Sequence, residues 1–375
     1  MAPRKTSSTI DTPGPAAAAA ASVGPRLQLI LDPPDKILYI TADARMRSVS
    51  ATCSLVGVAG VETQPVSYDW VVSLVMRSAG IPSAVGRSTS HPPIHALTTS
   101  PNFPIPFKAV RGGTLTVTVS TSLQGKRLAA TAIAEIRGTN PTEADLRAAG
   151  VPETLILVMK QETALRQFLK TGSKSGYPLF SSDGLGGVGL GQITHPRPTD
   201  DEVWDWKANV KRAETLYQQK KAEAKRYLDG YPSSPEFHRL VEAYNRDRIA
   251  TSSAVAKAPP SPYDTGRSDM IQPRLPIKPL IITLPPYTDE MLENETIRRY
   301  NGEILRVREY EARRQTDPQG LLAVEVKADG THGTAEWHQV TAQERIAAYD
   351  AQQWPADRRG DPDYVAHVRN QVTPR

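Results

Sequence analysis

Between Arg26 and Gly138 the chain switches repeatedly between short β-favouring runs and turn residues, which limits this stretch to a strand-built structure. The clearest runs are Leu27 to Leu31, Ile37 to Thr41, Ser48 to Val58, Ser67 to Val75, Thr114 to Val119 and Ala130 to Ile136. Pro33-Pro34, Gly112-Gly113 and Gly125 punctuate them. Branched and aromatic side chains suit a half-buried pleated surface, whereas Gly and Pro supply the backbone angles of turns. No helical period of comparable strength runs through the stretch.

About seven short strands at this spacing predict an all-β, immunoglobulin-like sandwich over residues 26–138. Trp70, on the fourth run, is its expected core aromatic. Cys53, the single cysteine, excludes an intramolecular disulfide and a thiolate metal cage, and its apolar neighbours predict a buried thiol. His91 and His95 have the spacing of metal ligands on a helix, but Pro92 and Pro93 between them forbid that helix, so no metal is expected.

Beyond Gly138 the period changes. Pro141 to Asp145 opens a short helix that stops at Gly150, and a second domain is expected over residues 139–375. From Leu155 to Leu169 the apolar residues Leu155, Val158, Met159, Leu165 and Leu169 fall on one helical stripe. Glu162 lies on the same stripe. A carboxylate in apolar surroundings holds its proton more tightly, as a general acid must. At the stripe's edge it would instead reach water or pair with Lys160 or Arg166.

A glycine-rich loop follows, from Gly184 to Gly191, ending in Gln192-Ile193-Thr194. Gly184-x-Gly186-x-x-Gly189 matches a dinucleotide pattern formally, but no buried strand precedes it and His195-Pro196 cannot open the required helix. Glycines also let backbone approach a flat polymer closely, with Gln192 offering both a donor and an acceptor. A structural glycine turn beside the core is the other reading. After the loop, Trp204 and Trp206 introduce a helix containing Asn209, which either caps a neighbouring element or orients the loop.

Glu162-Thr163, Gly189-Leu190-Gly191-Gln192, Asn209 and Tyr300-Asn301-Gly302, in that order, resemble the lytic transglycosylase and goose-type lysozyme domain. The resemblance covers about half the chain. Thr163 replaces the usual serine, Gly191 replaces the usual methionine, and Ala243-Tyr244-Asn245 competes with Tyr300 for the tyrosine position. The resemblance implies a mainly α, lysozyme-like domain with a small β-hairpin, expected here around Asp329-Gly330. It implies a peptidoglycan-cleaving enzyme without a cofactor, in which Glu162 acts first as acid and then as base. Gln192, Gly189, Tyr300 and Asn301 would bind the glycan, Thr163 and Asn209 would support them, and the product would be a 1,6-anhydromuramoyl sugar. A hydrolytic muramidase is the alternative, with Asp183 or Asp200 as the second carboxylate holding a water. A third reading is a non-enzymatic, wall-binding component of a phage tail or secretion apparatus.

The 375 residues suffice for two cores, and 39% hydrophobic with 23% charged residues is ordinary for a folded protein. A net charge of +5 is a mild excess that does not call for a nucleic-acid partner. Residues 1–25 are expected to be a disordered arm rather than a signal peptide, and residues 251–286, with eight prolines, an extended insert. No run reaches the length of a membrane span. A wall-cleaving protein without a signal peptide would reach the periplasm or cell wall by a specialised route, with secretion-machine or phage-tail proteins as partners through the sandwich.

Overall fold

Alternating burial builds the first part of the chain into two sheets around one core. The computed structural model describes residues 24–57, 67–84, 86–182, 185–255, 278–301, 308–316, 322–327, 330–355 and 360–371. The strands are β1 (Arg26–Asp32), β2 (Ile37–Tyr39), β3 (Ser50–Val56), β4 (Tyr68–Met76), β5 (Thr89–Thr98), β6 (Asn102–Pro104), β7 (Gly113–Leu123) and β8 (Lys126–Arg137). One sheet runs β2-β8-β7-β4-β5 and the other β1-β3-β6. Tyr68, Trp70, Val72, Leu74 and Met76 of β4 are all buried, as a period of two requires when one face meets the core. Trp70 stacks on Phe103 at 5.3 Å and donates from Nε1 to Thr98 Oγ1 at 2.9 Å. Cys53 is buried in this core, and burial pushes its thiol up.

His91 and His95 lie on β5, a strand. The His91 ring is a structural tie: its Nε2 accepts from Lys108 N at 3.2 Å, so Nδ1 donates to Pro92 O at 2.8 Å. Among the described residues no group of three or more His, Cys, Asp or Glu could hold a metal ion.

The strand core is closed by residues from later in the chain, including Phe168, Phe180, Val203 and Trp204. Trp204 donates from Nε1 to Thr89 Oγ1 at 2.7 Å. It lies so close to Gly112 that a Cβ there would come within 2.1 Å of the ring, so glycine is what allows the two surfaces to meet.

The helices are α1 (Glu143–Ala148), α2 (Glu153–Thr163), α3 (Asp200–Trp204), α4 (Trp206–Gly230), α5 (Pro235–Val255), α6 (Asp289–Tyr300), α7 (Ala342–Ala351) and α8 (Tyr364–Asn370). Capping boxes at Thr142, Thr199 and Thr341 start α1, α3 and α7, each satisfying amides the first turn leaves open. Ile156, Leu190, Val210, Ile297 and Val365 bring α2, α4, α6 and α8 into a second core. Strands β9 (Ile281–Thr283), β10 (Tyr310–Arg314), β11 (Val324–Lys327) and β12 (Gly330–Gln339) form a third sheet, β10-β12-β11, with β9 parallel to β12. Tyr231, Phe237, Ala312 and Ala335 form the small core beneath it.

Among the described residues helix occupies about 32% and strand about 31%, in three sheets, so the protein is mixed α/β. This corrects the expected all-β immunoglobulin-like sandwich followed by a mainly α lysozyme-like domain. The chain continues to make strands after Gly138, and β11 and β12, where the hairpin was expected, pair antiparallel as two strands of a four-stranded sheet. β10 reads Tyr-Glu-Ala-Arg-Arg and buries only Tyr310 and Ala312, too polar a run to be read as a strand. The expected extended insert is also revised: residues up to Val255 finish α5 and Ile281–Thr283 form β9, while residues 256–277 lie outside the described residues. The N-terminal arm lies outside them through residue 23. No helix among the described residues is long and apolar enough to cross a membrane.

Candidate active site

Glu162 occupies the last turn of α2, a helix buried along Leu155, Ile156, Leu157, Val158 and Met159. The helix stops at Thr163, short of the expected Leu169, because the next residues take left-handed angles: φ is 52° at Ala164 and 58° at Leu165. Thr163 caps this end, donating from Oγ1 to Met159 O at 3.0 Å and accepting from Arg166 N at 3.2 Å. Its one hydroxyl proton goes to Met159 rather than to Glu162. Asn140 then draws the chain away, its Oδ1 accepting from Gln167 N at 2.8 Å and Phe168 N at 2.7 Å. Such side-chain bonds compete with helix continuation.

Half-buried Glu162 opens onto a groove of about 430 Å³, which Arg166, Phe180, Ser181, Ser182 and Gln192 also line. Lys160, a possible partner of Glu162 in the sequence, pairs with Glu143 at 2.7 Å. Arg166 donates from Nε to Thr163 O at 2.7 Å.

Two buried tyrosines lie near the carboxylate. Tyr364, at the start of α8, donates from Oη to Glu162 Oε1 at 2.5 Å. Burial, and then the Glu162 charge, raise its phenol well above the usual value, which keeps it a donor. Tyr300, at the end of α6, is pushed up by the same two causes in the same order. Its hydroxyl donates to Gly191 O at 3.1 Å and so holds the glycine loop rather than the carboxylate.

The loop's amides are used within the protein. Gly187 N donates to Ser181 Oγ, Gly189 N to Leu179 O, Leu190 N to Gln167 Oε1 and Gly191 N to Asn209 Oδ1. Val188 and Ile193 pair with each other, and Gln192 N donates to Gly189 O. A sugar therefore does not find these amides open, contrary to the reading of a backbone platform. Gly189 has φ +64°, and a Cβ there would meet Gln167 Oε1 at 2.1 Å, so glycine at this position makes room for Gln167. At Gly191 a Cβ would meet Ala213 Cβ at 2.6 Å, so the side chain this position lacks would point at α4.

Asn209 orients the loop, one of the two roles the sequence left open. It is fully buried and donates from Nδ2 to Val188 O and Glu202 O, both at 3.0 Å. Gln192 has φ 45°, folds its Nε2 back to Gly189 O at 2.9 Å and lines the groove.

The remaining predicted residues lie elsewhere. Asn301 follows the end of α6, and its buried Nδ2 finds no hydrogen-bond partner among the described residues. Tyr244 is buried under the third sheet and donates to Ala323 O at 3.0 Å. Asp200 accepts from Ser90 N at 3.2 Å and faces the strands. Asp183 lies outside the described residues.

Two residues were missed. Tyr364 follows Asp361-Pro362, a helix-start signal that said nothing about a partner 202 residues away. Fully buried Gln167 braces the loop, donating to Val203 O at 2.9 Å, and had no signal in spacing or composition. No protein-family model, curated protein or solved structure matches the chain.

Proposed function

We propose that the chain cleaves the MurNAc-GlcNAc glycosidic bond of peptidoglycan as a lytic transglycosylase, with Glu162 as its acid and base. The observation that carries this reading is one half-buried glutamate on an open groove, held at one oxygen by a buried tyrosine. Glu162 gives its proton to the departing sugar oxygen as the bond to the anomeric carbon breaks, and the substrate's own acetamido oxygen covers that carbon. Glu162 then takes the proton of the C6 hydroxyl, whose oxygen closes onto the same carbon and releases the acetamido group. No water is consumed and no second protein carboxylate is required, whereas the usual glycosidase needs a pair. Among the described residues, Glu162 is the only acid lining the groove. Gln192, on the same groove, has the donor and acceptor that an acetamido group requires.

The test is digestion of purified peptidoglycan with mass analysis of the soluble products. Wild type is expected to release 1,6-anhydro ends, and Glu162→Gln to lower the rate about 1,000-fold, within the range for losing a positioned general acid. Reducing ends would instead assign a hydrolytic muramidase. Equal clearing by both proteins would remove Glu162 from the chemistry.

A further inference from the structure

One wall of the groove comes from the strand half of the chain. Pro82 and Ser83, in the link between β4 and β5, face the same cavity as Glu162, Arg166, Ser181 and Gln192. Their neighbours Ile81 and Ala84 are buried in the strand core, and Ala84 N donates to Ile81 O at 3.3 Å. Further along, Arg87 N donates to Ala84 O at 2.9 Å. The Arg87 side chain crosses to the glycine loop, donating from Nη2 to Gly186 O at 2.8 Å and lying 5.6 Å above the Phe180 ring. The wall is thus tied both to its own core and to the loop that carries Gln192. Ser83 is held at φ 57°, a left-handed angle that a residue with a Cβ keeps only where its surroundings impose it.

We propose that Pro82 and Ser83 form a carbohydrate subsite beside Glu162, so that the strand half of the chain binds the glycan directly; this rests on the glycosidase reading. Pro82 offers an apolar ring against which a sugar face can pack. The Ser83 hydroxyl can both donate to and accept from sugar hydroxyls. Arg166, on the same groove, supplies positive charge toward the carboxylates of an acidic aminosugar polymer. Its ligand class is accordingly an N-acetylated aminosugar chain bearing carboxylate substituents.

The test uses the full chain. Ser83→Trp fills the subsite and leaves the Glu162 residue itself unchanged, and Leu97→Trp, at an exposed β5 position, serves as control. Ser83→Trp is expected to raise KM for peptidoglycan about tenfold, the scale of one lost polar contact or one clash in a site. In the Glu162→Gln background it is expected to weaken binding of an N-acetylglucosamine tetramer by a similar factor, read by calorimetry. Leu97→Trp should change neither. If Ser83→Trp does not fold, Pro82→Ala and Ser83→Gly take its place and should each weaken tetramer binding about threefold. Glu162-dependent cleavage with KM and tetramer affinity within about twofold of the parent in the folded variants overturns the subsite and leaves the glycosidase reading standing. A parent that neither cleaves peptidoglycan nor binds the tetramer overturns both.

Discussion

Tyr364 donates to Glu162, and burial, then the Glu162 charge, raise its phenol well above the usual value. Burial is likewise the first cause raising Tyr217, Tyr227 and Tyr300. A phenol raised in the folded state contributes stability that is complete below its unfolded value, about 10, and is lost as pH rises from there toward the folded value. Wild type is therefore expected to lose thermal stability progressively above about pH 10, as circular dichroism melts from pH 7 to 11 would show. Tyr364→Phe removes one of these phenols and should blunt that decline without abolishing it. The same variant leaves Oε1 without its tyrosine donor, and kcat on peptidoglycan should fall about tenfold, the worth of one hydrogen bond to a charged group. An unchanged kcat would reduce the Tyr364 contact to packing.

Three elements meet at Glu309, the residue before β10, which accepts from two buried guanidiniums, Arg298 of α6 at 3.1 Å and Arg345 of α7 at 2.6 Å, and from Gln339 of β12 at 2.8 Å. The same arginines donate to the carbonyls of Asp361 and Pro362, the residues that lead into α8 and Tyr364. The third sheet is thereby tied through α6 and α7 to the tyrosine that holds the acid. Glu309→Gln leaves two buried cations facing a neutral amide and is expected to cost about 3–5 kcal/mol in urea denaturation, the penalty for breaking a buried ion pair. A cost below about 1 kcal/mol would mean that water reaches the cluster. None of this junction was visible in the chain, because its members are polar residues separated by many positions and follow no period. Glu162 and Gln192 were legible because their chemistry stands out against their surroundings. The end of α2 was not, since Leu165 and Leu169 continue its apolar stripe, while left-handed angles at Ala164 and Leu165 and then the Asn140 side chain, from before α1, turn the backbone away. Most strands of the first half were legible from alternation, but β5, which carries Pro92 and Pro93, and three-residue β6 fell outside the runs, and charged β10 and three-residue β9 gave no such signal either.

The strand half and the later, mixed part of the chain share Trp204, which sits in the strand core while the next residues begin α4. Around it, Arg87 reaches Gly186, Arg111 pairs with Asp201 at 2.6 Å and Asn140 donates to Phe168 O at 3.0 Å. The exposed ion pair contributes little, so most of the coupling comes from the buried rings. Trp204→Ala removes a fully buried ring and its bond to Thr89, and the close fit against Gly112 leaves the backbone little room to collapse into the space. The expected loss is about 3–5 kcal/mol, as for other large aromatic truncations. Because the ring joins both halves, that loss should lower one shared unfolding transition rather than separate two. Calorimetry of the full chain, with tryptophan fluorescence following Trp70 in the strands and Trp206 in the helices, checks this. Two transitions, with only one displaced by the substitution, would show that the groove's Pro82-Ser83 wall and its Glu162 side are stabilised independently.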